Sequence, residues 1–180
     1  ITETRKAYNA LSVEQMALVS YGHLVKVEQK LLVAQEIETR RRLASMQHLI
    51  DSLDHVTIEQ IVLIEGLRAN ISSLTAEEKA VLNDQKLVLA EKALRSLKAG
   101  VEKKTLDEIR INSIMAYIDS IGQVTIEKKA LIDALRASYD KLTPKQQERI
   151  ENYSALVIAE ATVLVQIQLT DAVPNTGDTT

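Results

Sequence analysis

The chain has 180 residues, 46% hydrophobic and 26% charged, with five glycines, two prolines and no cysteine; collagen-like, disulfide-stapled and disordered classes are excluded. Twenty-two Lys+Arg against 25 Asp+Glu leave a net charge of −3, so no cationic field recruits nucleic acid or anionic lipid. Five tyrosines are the only aromatic residues, which leaves the core to Leu, Ile, Val and Ala and provides few platforms for stacking sugars or bases.

No run approaches the roughly 18 consecutive apolar residues of a membrane helix, and Ile1 is not followed by the basic and apolar regions of a secretion signal. The expectation is a piece of a larger protein. Without cysteine, thiol catalysis and thiolate metal sites are excluded.

One segment recurs. Ile50-Asp51-Ser52-Leu53, Val56-Thr57-Ile58-Glu59 and Leu67-Arg68-Ala69 return 68 positions later as Ile118-Asp119-Ser120-Ile121, Val124-Thr125-Ile126-Glu127 and Leu135-Arg136-Ala137. Arg5, Leu11, Ser12, Leu24 and Glu28 match Arg68, Leu74, Thr75, Leu87 and Glu91 at a shift of 63. The spacing predicts an incomplete first repeat over 1–42 (helices B and C), complete three-helix repeats over 43–105 and 106–169, and an extended tail over 170–180. Between Thr75/Thr143 and Asn83/Asn152 the shift moves from 68 to 69, which places a one-residue insertion early in helix C of the third repeat.

In chain order within a repeat, helix A carries Leu43, Met46, Ile50 and Leu53, or Ile111, Ile114, Ile118 and Ile121, on one face. It is expected to stop where Gly122, or Asp54 in the second repeat, takes the left-handed conformation. Thr57-x-x-Gln60 is a capping box that opens helix B, with Val56 stapling onto Ile61. Helix B is expected to bury Leu63, Ile64, Leu67 and Ile71, or Leu131, Ile132, Leu135 and Tyr139. Three further capping boxes, Ser12-x-x-Gln15, Thr75-x-x-Glu78 and Thr143-x-x-Gln146, open helix C, with Pro144 at its first residue. Helix C faces Leu24, Val27 and Leu31, or Leu87, Ala90 and Leu94, inward.

No proline lies between Ser12 and Leu53, so helix C of one repeat is expected to run on into helix A of the next, over about 63 Å at 1.5 Å per residue. Five additional residues near Gly100 leave the second joint either continuous or broken there. The fold class is all-α: tandem three-helix bundles joined end to end through shared helices, in a spectrin-like arrangement.

Recurring Arg5, Arg68 and Arg136 and recurring Glu28, Glu91 and Glu160 raise the question of a catalytic pair. Counting along a simple hairpin puts Arg68 and Glu91 roughly 17 Å apart in axial level, so they are expected to stay apart, with the glutamate capping the start of helix B. His23, His48 and His55 lack the spacing that puts two imidazoles on one helix face, so no metal site is expected. Arg40-Arg41-Arg42 beside Glu36 and Glu38 reads as a solvated helix surface with an i,i+4 pair between Glu36 and Arg40. No nucleophile beside a base and no glycine-rich phosphate loop is present, so neither an enzyme nor a cofactor is expected.

After Leu169 the periodicity ends in Thr170-Asp171-Ala172-Val173-Pro174-Asn175-Thr176-Gly177-Asp178-Thr179-Thr180, polar and rich in breakers. Val173-Pro174-Asn175-Thr176-Gly177 resembles the Leu-Pro-x-Thr-Gly sorting signal through which sortases attach surface proteins to Gram-positive cell walls, with Val in place of the first Leu. Pro174 holds Val173 extended, and Gly177 leaves the Thr176 carbonyl approachable. The resemblance implies that a sortase cysteine attacks that carbonyl, cleaves after Thr176, and passes the acyl group to an amine of a peptidoglycan precursor. An apolar membrane span and a basic tail are then expected downstream, so the membrane is contacted only transiently.

The helical repeats are similar to modules repeated in large secreted or wall-bound Gram-positive proteins, where they separate a functional region from the anchor. The implied function is an extracellular, wall-proximal stalk or spacer for upstream domains of the same polypeptide. The alternative is an adhesin or protein-binding helical module, which requires a contiguous exposed apolar patch on the complete repeats.

Overall fold

The computed structural model describes residues 2–18 and 21–172. The described residues are all-α, without a strand: α1 (Thr2–Asn9), α2 (Val13–Leu18), α3 (Tyr21–Asp51), α4 (Ile61–Ser72), α5 (Ala76–Val81), α6 (Gln85–Lys98), α7 (Lys103–Ser120), α8 (Lys129–Tyr139), α9 (Pro144–Gln147) and α10 (Tyr153–Ala172). Short 3-10 turns at Ile58–Gln60 and Ile126–Lys128 lead into α4 and α8. The chain divides into two compact units, 1–40 and 41–180.

The smaller unit holds α1, α2 and the first part of α3. Its helix-C residues Leu24 and Val27 are half-buried and Leu31 is exposed. None of its residues whose burial is described is fully buried.

The larger unit buries most of the expected positions; in α8 Ile132 and Leu135 are buried, but Leu131 and Tyr139 are half-buried, because the α8 face turned inward is the one that carries Ala130, Ala134 and Ser138. Helix A contributes Leu43, Met46, Ile50 and Leu53, and in the next repeat Ile111, Ile114, Ile118 and Ile121; helix C contributes Leu87, Ala90 and Leu94. Helix B of the second repeat, α4, goes further. Ile61, Val62, Leu63, Ile64, Gly66, Leu67 and Ile71 are all buried, which covers every side of the helix, as expected of an element placed centrally rather than at a surface.

The reason is its partner. α4 and α8, equivalent helices of the two complete repeats, form the most extensive helix pair in the molecule. A Cβ built on Gly66 would lie 2.1 Å from the Ala134 carbonyl oxygen and 2.8 Å from Ser138 Oγ, so only glycine permits this approach. Across the same seam Ser138 Oγ donates to the Val62 carbonyl at 2.5 Å. Ser45 Oγ donates to the Glu127 carbonyl at 2.5 Å and accepts from the Ala130 N–H at 3.2 Å. Both hydroxyls have partners, which offsets the cost of burying them. The two complete repeats thus share one core and lie side by side, a closer association than the end-to-end joining inferred from the repeat spacing.

The ends of the helices follow the sequence with two exceptions. Gly122 takes the left-handed conformation at φ 53° after α7, whereas Asp54 does not, since no non-glycine residue among those described has positive φ. All four capping boxes close, with Ser12, Thr57, Thr75 and Thr143 N–H groups donating to Gln15, Gln60, Glu78 and Gln146 at 2.9–3.0 Å. Those at Thr75 and Thr143, however, open the short helices α5 and α9 instead of a long helix C. α5 ends at Leu82, which is extended (ψ 137°), and helix C proper begins at Gln85 or Tyr153. The extra residue of the third repeat falls in the segment between α9 and α10. At the second joint the chain is broken, with α6 ending at Lys98 and α7 starting at Lys103 on either side of Gly100.

Candidate functional site

The sorting-signal residues Val173, Pro174, Asn175, Thr176 and Gly177 lie outside the described residues. Within the described residues, the arrangement that recurs in all three repeats is the arginine–glutamate pair. Contrary to the separation expected from the hairpin count, the two touch in every repeat. Arg68 Nε donates to Glu91 Oε1 at 2.6 Å and its NH2 to Oε2 at 3.1 Å. Arg136 and Glu160 meet in the same two-pronged way, with Nε to Oε1 at 2.5 Å, as do Arg5 and Glu28, with Nε to Oε1 at 2.7 Å. The hairpin count failed because α5 and α9 fill the turn and the axial count restarts at α6 and α10. Arg68 then lies four residues before the end of α4 and Glu91 six after the start of α6, at similar depth. The glutamates are therefore not dipole caps of helix B.

A third residue completes each set. The remaining guanidinium nitrogen, NH1, donates to Tyr21 Oη at 2.5 Å, Asp84 Oδ2 at 3.0 Å or Tyr153 Oη at 2.8 Å, and these three positions are equivalent in the repeat. Tyr21 stacks on Tyr8 and Tyr153 on Tyr139, with ring centroids 4.6 and 4.3 Å apart, and Arg5 and Arg136 lie over the tyrosine faces. The sequence reading missed this third member; its signal is a hydroxyl or carboxylate at one repeat position in all three copies.

The electrostatics suit a clamp. Hydrogen bonds donated to Glu91 and Asp84 raise the Arg68 pKa, as those donated to Glu160 and Tyr153 raise that of Arg136; the Arg5 guanidinium holds Glu28 below the usual glutamate range. All three nitrogens of each guanidinium are engaged, so the set ties helix B to helix C rather than offering a reactive group.

A second charge cluster centres on Glu65, in a crevice of about 440 Å³ that also includes Lys103, Asp107, Arg110 and Lys141. Burial works to raise the Glu65 pKa, but the hydrogen bond from Lys98 at 2.8 Å and the charge of Arg110 at 3.2 Å outweigh it, and the carboxyl lies below its ordinary value. Elsewhere along α7, a groove of about 460 Å³ is bordered by Glu59, Ser113 and Tyr117; burial, then the Glu59 charge, pushes the phenol pKa up and keeps it protonated. Neither place sets a nucleophile against a base. Among the described residues no group of three His, Asp or Glu could hold a metal ion, and no helix is long and apolar enough to cross a membrane. In the arginine run, Arg40 pairs with Glu36 at 2.6 Å as expected, but Arg42 is half-buried and bound to Glu78 rather than solvated.

The outer face of α10 is apolar and open. Val157, Ile158, Leu164, Val165 and Leu169 are 42–64% exposed, and with exposed Ala161 they follow one helical stripe. Its signal in the sequence is that residues 153–170 hold a single charge, Glu160, which is already bound to Arg136. The equivalent face of α6 is interrupted, because Lys92, Arg95 and Ser96 stand where α10 has Ala161, Leu164 and Val165.

No family model, no curated protein and no solved structure matches the chain.

Proposed function

We propose that this chain is a wall-proximal helical stalk of a larger extracellular surface protein, attached covalently to peptidoglycan by a sortase acting at Thr176. The observation that carries the reading is the motif Val173-Pro174-Asn175-Thr176-Gly177 directly behind a helical body. In this reading the chain is the substrate. The sortase supplies the nucleophile, the Thr176–Gly177 bond is broken, and a new amide joins Thr176 to the wall precursor. The clamps in all three repeats and the shared core of the two complete ones support a load-bearing role, since ion pairs between helices B and C resist their separation.

The test is incubation of the purified chain with sortases of several classes and an amine nucleophile, followed by mass spectrometry. The expected product has lost Gly177–Thr180 and gained the nucleophile at Thr176, and Thr176→Ala abolishes it. Absence of this product with every class overturns the reading.

The second reading is an adhesin or protein-binding helical module. The exposed stripe on α10 favours it, because a contiguous apolar face of this kind marks interaction surfaces.

A further inference from the structure

We propose that the outer face of α10 is a self-association surface, occupied by the α10 face of a second copy of this chain. The inference is independent of the sorting motif.

Three observations point to this occupant. First, the stripe Val157, Ile158, Ala161, Leu164, Val165 and Leu169 is free of charge in the third repeat alone, with the uncharged Gln168 beside Leu164 and Leu169; in the second, Lys92 and Arg95 occupy the centre of the equivalent face. Apolarity here is therefore no requirement of the repeat fold. Second, the extent is right. From the exposed fractions of its side chains the patch amounts to roughly 500 Å², at the upper end for a monomer surface. Two such faces bury about 1,000 Å², the size at which a specific interface begins.

Third, the charge pattern suits an identical partner. A surface meeting its own copy must not set like charges opposite one another, and the only charge between 153 and 170, Glu160, is held by Arg136 at the edge of the core. A basic or acidic partner peptide would find nothing on this stripe to pair with. Ala161, flanked by Val157, Ile158, Leu164 and Val165, lets two helices approach closely, as Gly66 and Ala134 do inside the larger unit.

The experiment is sedimentation equilibrium of the full 180-residue chain from micromolar to near-millimolar concentration. The expected result is a reversible monomer–dimer equilibrium. The double substitution Ile158→Lys/Val165→Lys should weaken it by about tenfold or more, since two cations would be buried without partners. Val88→Lys, on the equivalent face of α6, should leave it unchanged. Circular dichroism melts establish that each variant is folded. A monomeric mass at every concentration overturns the proposal, as does a dimer indifferent to the α10 substitutions or dissociated by Val88→Lys.

Discussion

Gly66 lies against the backbone of Ala134 so closely that a methyl group on it would stand 2.1 Å from the carbonyl oxygen and 2.7 Å from the carbonyl carbon. The obstacle is backbone on a neighbouring helix, which cannot rotate aside. Gly66→Ala should therefore force α4 and α8 apart and destabilise the larger unit by about 1–3 kcal/mol, in spite of the gain of up to about 1 kcal/mol in helix propensity. Gly100→Ala is the control: nothing lies within 4 Å of its Cβ position and its φ is not positive. It should be neutral or stabilising by about 0.5 kcal/mol. Urea midpoints of the two variants check both.

The arginine clamps should show coupling. Arg68 and Glu91 are about one-third and one-quarter exposed, between a surface pair and a buried one. Arg68→Met or Glu91→Gln alone should cost about 1–2 kcal/mol, with a coupling energy of about 1 kcal/mol in the double-mutant cycle. Arg68→Lys should not restore the loss, because an ammonium cannot reproduce the two-pronged geometry. Chemical denaturation of the four proteins in the cycle measures the coupling.

Acid should weaken the larger unit through Glu65. Its folded pKa lies below the ordinary 4.5, so between the two values the unfolded chain binds more protons and stability falls as the pH is lowered. The contribution is complete above about pH 4.5 and is lost as pH drops through the folded pKa. Glu65→Gln should lower stability at neutral pH, by leaving Lys98 and Arg110 without their carboxylate, and flatten the decline below pH 4.5. Urea titrations at several pH values resolve the difference.

Residues of both complete repeats occupy one core, so 41–172 should unfold in a single thermal transition, with calorimetric and van't Hoff enthalpies equal. Two transitions, one per repeat, would contradict the shared core. Hydrogen exchange should find α4 and α8 the most protected helices, and 3–16 and 21–40, which contain no fully buried residue, the least.

Much was legible because it depends on neighbours in the chain. The stop at Gly122, the four capping boxes, Pro144 at the head of α9 and the one-residue shift near 150 all act within a turn or two of helix. The inward positions Ile50, Leu67, Leu87 and Leu135 follow from period alone. The short helices after the boxes at Thr75 and Thr143 escape such a reading, because a capping box reports where a helix begins and not how far it runs. Asn83-Asp84, a pair of turn formers just before α6, held that information.

Residue order alone encodes an all-α chain of three related repeats, their caps and inward faces, and the string Val-Pro-Asn-Thr-Gly. Which repeats pack against each other and which charges meet emerges from the packed fold. Helix period specifies a face but not its partner, so the run Ile61-Val62-Leu63-Ile64 became intelligible only with α8 beside it. Arg68 and Glu91, 23 positions apart, are joined by the path of the turn between them, which no spacing rule along the chain encodes. The open stripe of α10 follows from the same cause: which apolar face is left uncovered is settled by what else has packed.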